Sequence, residues 1–459
     1  MANITITNED LGVKKISIKG SKTVHDRNGN RVLLINSRLY KSAECRCPLC
    51  LKKCPIYDTK KDRYWRTLDV LDMVTYIVMD VHRVQCPEHG VITEHIPFCP
   101  DGGGFTLAFE LTVAWLARRA DKTTVSLLMR IAWNTVGNII SRVKDYLEPD
   151  STVRFDDLKN IGVDETSYKK GYKYITTVVN LDNSSVIWVG IGHGYNVLKK
   201  FFKLLNDDQR KSIETISGDG AKWIDKCRDE FIPQATRGLD PFHVVEWAQD
   251  VLDSVRRAEW SAANKELKEA KKSQKKRHVG RPKKGEEDPL KNQKEAVKEL
   301  KNSRYALTKN PENLTANQCA KLDLIASTNN RLIRAYRLKE QLRLIFKITD
   351  KDDVEEYLKK WLAWAQRCRI PEFVELGRKI RRHEEAILAT VDRGLSSAKV
   401  EALNNKIKLL IKRSYGFRNL ENLKSMVLLC CSDLIIPLPN RNKSRKKRQK
   451  SFVKELIVW

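Results

Sequence analysis

Two apolar runs that each end on a carboxylate limit the folds open to this chain more than any other feature. They are Ile161-Gly162-Val163-Asp164 and Ile216-Ser217-Gly218-Asp219. Short apolar runs bounded by Gly and polar residues read as buried strands. Further strands are predicted at Tyr172–Leu181, Val186–Ile191 and Ala235–Leu239, with helices over 195–205 and from Lys222. The resulting β-β-β-α-β-α-β order predicts one mixed sheet with acids at strand ends. A third acid, Glu401 in Val400-Glu401-Ala402-Leu403-Asn404-Asn405, opens a basic helix whose packing face is Leu403, Ile407, Leu410 and Ile411.

The chain has 459 residues, enough for about three domains. Its 86 Lys+Arg against 58 Asp+Glu give a net charge of +28, an excess that repels itself unless a polyanion neutralises it. Nucleic acid is the expected partner, here double-stranded DNA. Three carboxylates brought together by two strand ends and a helix suit a clamp of two magnesium or manganese ions acting on a phosphodiester. A single Asp after an apolar run is more often a turn or cap residue; the specificity lies in three acids in this order. In a ribonuclease-H-like sheet the first strand is central and the fourth lies beside it, which sets Asp164 next to Asp219. Glu165 should face away by strand alternation. Lys406, Lys408, Lys412 and Arg413 are left to hold DNA backbone. No stretch reaches the roughly 18 apolar residues of a membrane span. The N-terminal Met1–Ile6 carries no apolar signal region, so a cytoplasmic, nucleoid-associated protein is expected.

Six of the 11 cysteines lie between Cys45 and Cys99, and in a reducing compartment such clustering favours metal. Cys47-Pro48-Leu49-Cys50 and Cys86-Pro87-Glu88-His89 are two knuckles whose spacing turns each pair of side chains toward one point. Together they predict one structural zinc held by Cys47, Cys50, Cys86 and His89. Cys45, Cys54 and Cys99 compete as ligands. Zinc is expected to stabilise a small, strand-poor module. Downstream, Thr123–Ile131 and Thr135–Leu147 read as helix, turn, helix, with Val125, Leu127, Leu128 and Ile131 inward on the first and Asn134 capping the second. Val136, Ile139, Ile140 and Val143 form the inner face of the second helix. Asn138, Ser141, Arg142 and Lys144 form an outer face suited to base edges and phosphates. An ordinary amphipathic helix pair fits the same pattern; the knuckles and the basic chain favour DNA binding.

These residues resemble the DDE transposases of the ISL3 family of bacterial insertion sequences. The resemblance covers the knuckles, the helix-turn-helix, the G-V-D-E strand, the S-G-D-G turn and the block from Glu401 to Gly416. It implies that Asp164, Asp219 and Glu401 form a metal-binding triad. It also implies a zinc-knuckle and helix-turn-helix region, then a ribonuclease-H-like α/β catalytic domain interrupted by an all-helical insertion. The boundaries expected are 1–100, 101–150, 151–245, 246–392, 393–436 and a basic tail, 437–459. Asp240-Pro241-Phe242-His243 matches a D/C-x-x-H motif of related families, and His243 would then position a phosphate or a water. His89 departs from the family, whose fourth zinc ligand is usually Cys. Gly280-Arg281-Pro282, in the basic stretch Lys271–Lys284, resembles an AT-hook core, although a disordered basic loop fits it better. The expected function is binding of terminal inverted repeats, DNA cleavage and strand transfer. Two DNA ends handled together call for at least a dimer. The rivals are a structure-selective nuclease on the same fold and a zinc-dependent DNA-binding regulator with an inactive catalytic domain.

Overall fold

Between Ile16 and Thr93 the chain is built of strands, four of them nine residues or longer. The structure is a computed structural model and describes residues 7–438 except 10, 101, 274–289, 349 and 394–396. It divides into two units, one made of the chain up to Arg154 together with the chain from Lys406, the other Phe155–Asn405. The Gly280-Arg281-Pro282 segment and the charged run Asn440–Lys450 lie outside the described residues.

The first unit opens with strands β1 (Ile16–His25), β2 (Arg31–Leu39), β3 (Ile56–Arg66), β4 (Val74–Cys86) and β5 (Gly90–Thr93). They form one sheet in the order β1-β2-β4-β3, with β5 also on β4. Only β2 and β4 run parallel. Period-two alternation on β2 turns Leu33, Ile35 and Leu39 inward, where they meet Ile16, Trp65 and Ile77. Each such side chain contributes about 1.5–3 kcal/mol when fully buried. The module therefore has a core of its own and is not strand-poor.

Three helices follow: α1 (Leu107–Ala117), α2 (Lys122–Met129) and α3 (Trp133–Leu147). Thr106 caps α1, and the Asp121 carboxylate caps α2 by accepting from the Thr123 and Thr124 N–H groups. Arg130 ends α2 in the left-handed conformation, at φ +53°. The cap position of α3 is Ala132, with no side-chain bond, so Asn134 lies inside the helix instead of capping it. Val136, Ile139, Ile140 and Val143 are buried as expected. On α2 the inward pair is Val125 and Met129, one helical turn apart, and Leu127 and Leu128 are exposed instead.

The second unit carries β6 (Asn160–Lys169), β7 (Lys173–Asn180), β8 (Ser185–Ile191), α4 (Tyr195–Leu204), α5 (Asp207–Ser212), β9 (Thr215–Gly218), α6 (Lys222–Phe231) and β10 (Thr236–Leu239). The sheet order is β10-β9-β6-β7-β8. β7 runs antiparallel to both of its neighbours, β6 and β8, whereas β9 runs parallel to β6 and β10 parallel to β9. Ile161, Val163 and Ile216 pack with Leu198, Phe201 and Ile224 of the covering helices. Of these elements only α5, closed by an Asn206–Gln209 capping box, was not expected.

From β10 the chain turns directly into α7 (Pro241–Ser273), and everything described from there to Asp392 is helical or connecting. These helices are α8 (Lys291–Asn302), α9 (Arg304–Thr308), α10 (Ala316–Thr328), α11 (Asn330–Ile345), α12 (Lys351–Arg367), α13 (Pro371–Arg382) and α14 (Glu384–Asp392). They share a core that includes Leu252, Leu338, Leu342, Trp361 and Phe373. The Thr390 hydroxyl of α14 accepts from the Leu239 N–H at 2.8 Å, so a helix covers the edge strand β10.

The last described helices are α15 (Ser397–Arg413) and α16 (Leu420–Cys431). The chain from Lys406 groups with the first unit, whereas the expected boundary kept 393–436 together. Ser141 of α3 donates to Asn422 of α16 at 3.1 Å. The Arg413 guanidinium donates to the carbonyls of Ala117 and Arg118, at 3.4 and 2.9 Å. Those are carbonyls that a helix C-terminus leaves unpaired, and a cation there also meets the negative end of the helix dipole. Arg413 is thus committed to α1 and is not free for DNA backbone, whereas Lys408 and Lys412 are exposed.

Candidate functional site

The parallel strands β9 and β10 are each followed directly by an acid, and β6 carries Asp164 in its middle, just past its pairing with β9. Gly162 is the register partner of Ser217, and Leu239 that of Gly218, so Asp164, Asp219 and Asp240 follow at the same edge of the sheet. The carboxyl ends of parallel strands are where open α/β sheets bind ligands. Asp164 and Asp219 are both partly buried, whereas Glu401 is exposed. Burial raises the Asp164 pKa, the Glu165 N–H (2.6 Å to Oδ1) and the Asn404 amide lower it, and the charges of His243 and Asp240 act on it in opposite directions. Asp240 also accepts from the Phe242 N–H at 2.8 Å, at the start of α7, where Pro241 has no N–H to satisfy. His243 stands in the first turn of α7, its Nδ1 3.1 Å from Glu246 Oε2.

Helix α15 is fixed to this edge through Asn404. Its amide donates to the Asp164 carboxylate, and its carbonyl accepts from Thr166 Oγ1 at 3.2 Å. Val400 lies over Gly162, where a Cβ would come within 3.1 Å of it. Glu401 stands one turn before Asn404, exposed. Glu165 faces away from Asp164 along the strand as expected, but it has work of its own: Oε1 accepts from the Gly194 N–H at 3.0 Å, at the start of α4. Two further residues hold the Asp219 turn. The partly buried Arg237 guanidinium donates to the Asp219 carbonyl and, from Nε at 2.8 Å, to Asp225. The Trp247 ring lies over Gly220, where any Cβ would sit 2.7 Å from the indole.

The two knuckles converge in the first unit. Cys47, Cys50, Cys86 and His89 bring their ligand atoms within 4.8 Å of one another. Cys50 Sγ lies 3.7 Å from Cys86 Sγ, and His89 Nδ1 lies 3.6 and 3.5 Å from the sulfurs of Cys47 and Cys86. Metal–ligand bonds of about 2.3 Å to sulfur and 2.0 Å to nitrogen give tetrahedral edges of about 3.7 and 3.5 Å, so this donor set fits zinc. The second knuckle is the hairpin turn between β4 and β5, closed by Gly90 at φ +70°. Buried Glu94 ties the first knuckle to β4, accepting from the Cys45 N–H at 2.6 Å and the His82 N–H at 2.7 Å. Of the competing thiols, Cys54 points to the Lys52 carbonyl at 3.4 Å. Cys99 sits 3.1 Å from the carbonyls of Pro100 and Gly103, its thiol pushed up to about 12 by burial.

On α3, Asn134 and Asn138 are exposed one turn apart. Arg142 is not available to a base. Its Nε and NH2 donate to Glu110 Oε1 at 3.0 and 2.5 Å, and Glu110 is fully buried in α1. Burial raises the Glu110 pKa, and Arg142 opposes that shift. Ser141 faces α16, and Lys144 pairs with Asp145 at 3.1 Å.

Residues 161–427 match a family model described as a transposase, and residues 94–143 match the helix-turn-helix domain of transposase family ISL3. The chain belongs to the ISL3 family of transposases. Transposases for insertion sequence element IS1557 from two strains of Mycobacterium tuberculosis are 39% identical to it over 446 residues, 96% of this chain and 98% of theirs. The transposase for IS1001 of Bordetella parapertussis is 24% identical over 379 residues, 82% of this chain and 86% of its own. For an ISL3-family member, the helix-turn-helix match ends at residue 143, within α3. No helix among the described residues is long and apolar enough to cross a membrane.

Proposed function

We propose that this chain is a metal-dependent transposase that binds the terminal inverted repeats of its insertion sequence, cleaves there and joins the freed ends to target DNA. The observation that carries this reading is the register that sets Asp164 level with Asp219 on neighbouring parallel strands, with the helix of Glu401 bonded to Asp164 through Asn404. Numbered within the second unit, the strand order is 5-4-1-2-3 with strands 2 and 3 antiparallel, which supports a ribonuclease-H-like catalytic domain and makes the helices after β10 its insertion.

The acid cluster fits divalent cations. Asp164 feels the charge of Asp240, so the negative groups at this edge repel one another. Asp164, Asp219 and Glu401 would hold two magnesium or manganese ions. When bound, these supply charge neutralisation at the phosphoryl group and at the attacking and leaving oxygens. Water attacks the phosphorus at the element end, the bond to the element's 3′ oxygen breaks, and that oxygen takes a proton to leave as a 3′-hydroxyl. The flanking strand keeps a 5′-phosphate. The 3′-hydroxyl then attacks a target phosphorus and displaces the target's own 3′ oxygen. His243, in the first turn of α7 directly after Asp240, would hold the scissile phosphate or orient the water. One zinc at Cys47, Cys50, Cys86 and His89 would fix the knuckles of the DNA-binding unit. Pairing of two ends implies at least a dimer on DNA, acting in the cytoplasm at the nucleoid.

The test is purified protein with a labelled duplex carrying the element's terminal repeat and a supercoiled target. Nicks bearing a 3′-hydroxyl and joined products are expected with Mg²⁺ and not with EDTA. Tight end binding without any cleavage would favour a regulator. Cleavage set by DNA shape regardless of the repeat, with no joining, would favour a nuclease.

End recognition has its own expected pattern. Asn138→Ala should weaken binding to the cognate repeat by about 1–3 kcal/mol and random DNA far less. Lys144→Ala should weaken both alike if it meets a phosphate. Arg142→Ala should act through folding, lowering stability by about 3 kcal/mol because it strands a buried carboxylate. Binding titrations on both DNAs, beside thermal melts, check all three. Loss of base discrimination in Arg142→Ala at unchanged melting temperature would return that residue to the DNA face.

A further inference from the structure

Next to the Asp219 turn, the end of α13 gathers the cations Lys379 and Arg382. Lys379 Nζ lies 3.3 Å from the centre of the Trp247 ring, the indole that covers Gly220. His383 packs against the same indole, with ring centres 5.7 Å apart, and its Nε2 would lie 3.6 Å from a Cβ at Gly220. The nearest carboxylate on the helix, Glu375, is already paired with Arg378. Among the described residues, neither Lys379 nor Arg382 has an ion-pair partner, although the charge of Arg382 acts on both Lys379 and His383. The charges of Asp219 and Asp250 also reach Lys379, neither as an ion pair. Two like charges held close together, one of them half-buried on an aromatic face, cost free energy that a bound anion would offset. The indole fixes the ammonium in place, so little side-chain freedom remains to be lost on binding.

We propose that Lys379, held on Trp247 and assisted by Arg382, is a DNA-binding residue that grips one backbone phosphate of the strand lying in the acid site. This rests on the reading of Asp219 as part of a phosphoryl-transfer site and adds its substrate contact. A carboxylate cluster repels the phosphodiester it must act on, and a fixed cation on its flank offsets that repulsion at one position along the strand. Trp247 and Gly220 are positioning residues in this account, because they set where the ammonium stands relative to Asp219.

The experiment uses the full chain, the terminal-repeat duplex and a series of duplexes in which single phosphates near the cleavage point are replaced by neutral methylphosphonates. Binding is measured in Ca²⁺ across a range of salt, and cleavage in Mg²⁺. Lys379→Met keeps the apolar stem over Trp247 and removes the charge. It should weaken end binding about tenfold and lower the slope of log affinity against log salt by about one. Lys379→Arg should restore most of both. One methylphosphonate position should reproduce the loss in the wild type and add nothing in Lys379→Met. Equal effects of every methylphosphonate on the two proteins, or an unchanged salt slope, would overturn the proposal. Should Lys379→Met not fold, amine-reactive footprinting of the wild type decides: protection of Lys379 by the duplex supports the contact and equal labelling refutes it. Asp219→Asn separates this proposal from its premise. If that variant still cleaves, the acid-site reading fails; if it binds without cleaving while Lys379→Met behaves as wild type, only the phosphate contact fails.

Discussion

Asp164→Asn, Asp219→Asn and Glu401→Gln are each expected to abolish cleavage and joining, with a rate loss of about 10³-fold or more, while binding of the terminal repeat survives. Each change keeps the side chain's shape and removes one charge from the cluster proposed to hold the metal ions. Several kcal/mol of transition-state stabilisation should go with it. End binding should persist because the helix-turn-helix match, residues 94–143, lies in the other unit. Glu165→Gln is the control. The glutamine carbonyl can still accept the Gly194 N–H, so α4 keeps its start and cleavage should fall only slightly. Asn404→Ala adds a sharper test of how the site is built. It removes the bond between α15 and Asp164, and it should reduce cleavage although Asn404 is not one of the proposed ligands. If the three acids were merely cap or turn residues, their loss would lower the melting temperature by the equivalent of about 1 kcal/mol and spare the chemistry. Cleavage, end binding and melting measured on the same five variants separate these outcomes, and a near wild-type rate in any triad variant removes that residue from the set.

The second unit was legible nearly strand by strand. Its strands are short apolar runs between polar and glycine boundaries, and three of the five are buried at most positions. Strand β3 shows the opposite case. Nine of its eleven residues are exposed or only partly buried, so alternation leaves almost no trace in the sequence. The fates of Arg142 and Arg413 were not legible for a different reason. Helical periodicity identifies the apolar stripe of one helix, but not which polar residue beside it will meet a neighbour. Arg142 is claimed by Glu110, 32 residues earlier, and Glu110 sits in a helix whose other buried residues are apolar. Arg413 is claimed by the end of α1, a contact nearly 300 residues away in sequence. Asn404 did leave a signal: an asparagine beside Leu403 and Ile407 on a packing face needs a buried polar partner. The knuckle quartet was readable because two C-x₂-C/H turns carry their own geometry, whereas the Glu94 bridge that orients the first knuckle had no local mark.

One zinc per chain is expected on metal analysis of the purified protein, and Cys47→Ser combined with Cys86→Ser should abolish it. The size of the structural effect follows from where the site sits. The knuckles join the Cys47–Cys54 loop to the hairpin at the end of β4, beside a sheet with a separate core of Ile16, Ile35, Trp65 and Ile77. Zinc loss should therefore open the knuckle region and leave the sheet folded, unlike a small finger that unfolds whole without its metal. Hydrogen exchange of the amides that close the first knuckle, Cys47 N–H to Lys52 O and Leu51 N–H to Cys47 O, should rise by on the order of a hundredfold or more. Amides of β2, between β1 and β4, should change far less. Cys54→Ser tests the quartet itself, because Cys54 is buried in the same cluster but points to the Lys52 carbonyl. It should keep zinc, and His89→Ala should lose it. The reverse result would make the site one of four cysteines, with Cys54 in the place proposed for His89, and His89 would then be an exposed turn residue with no part in the metal's coordination.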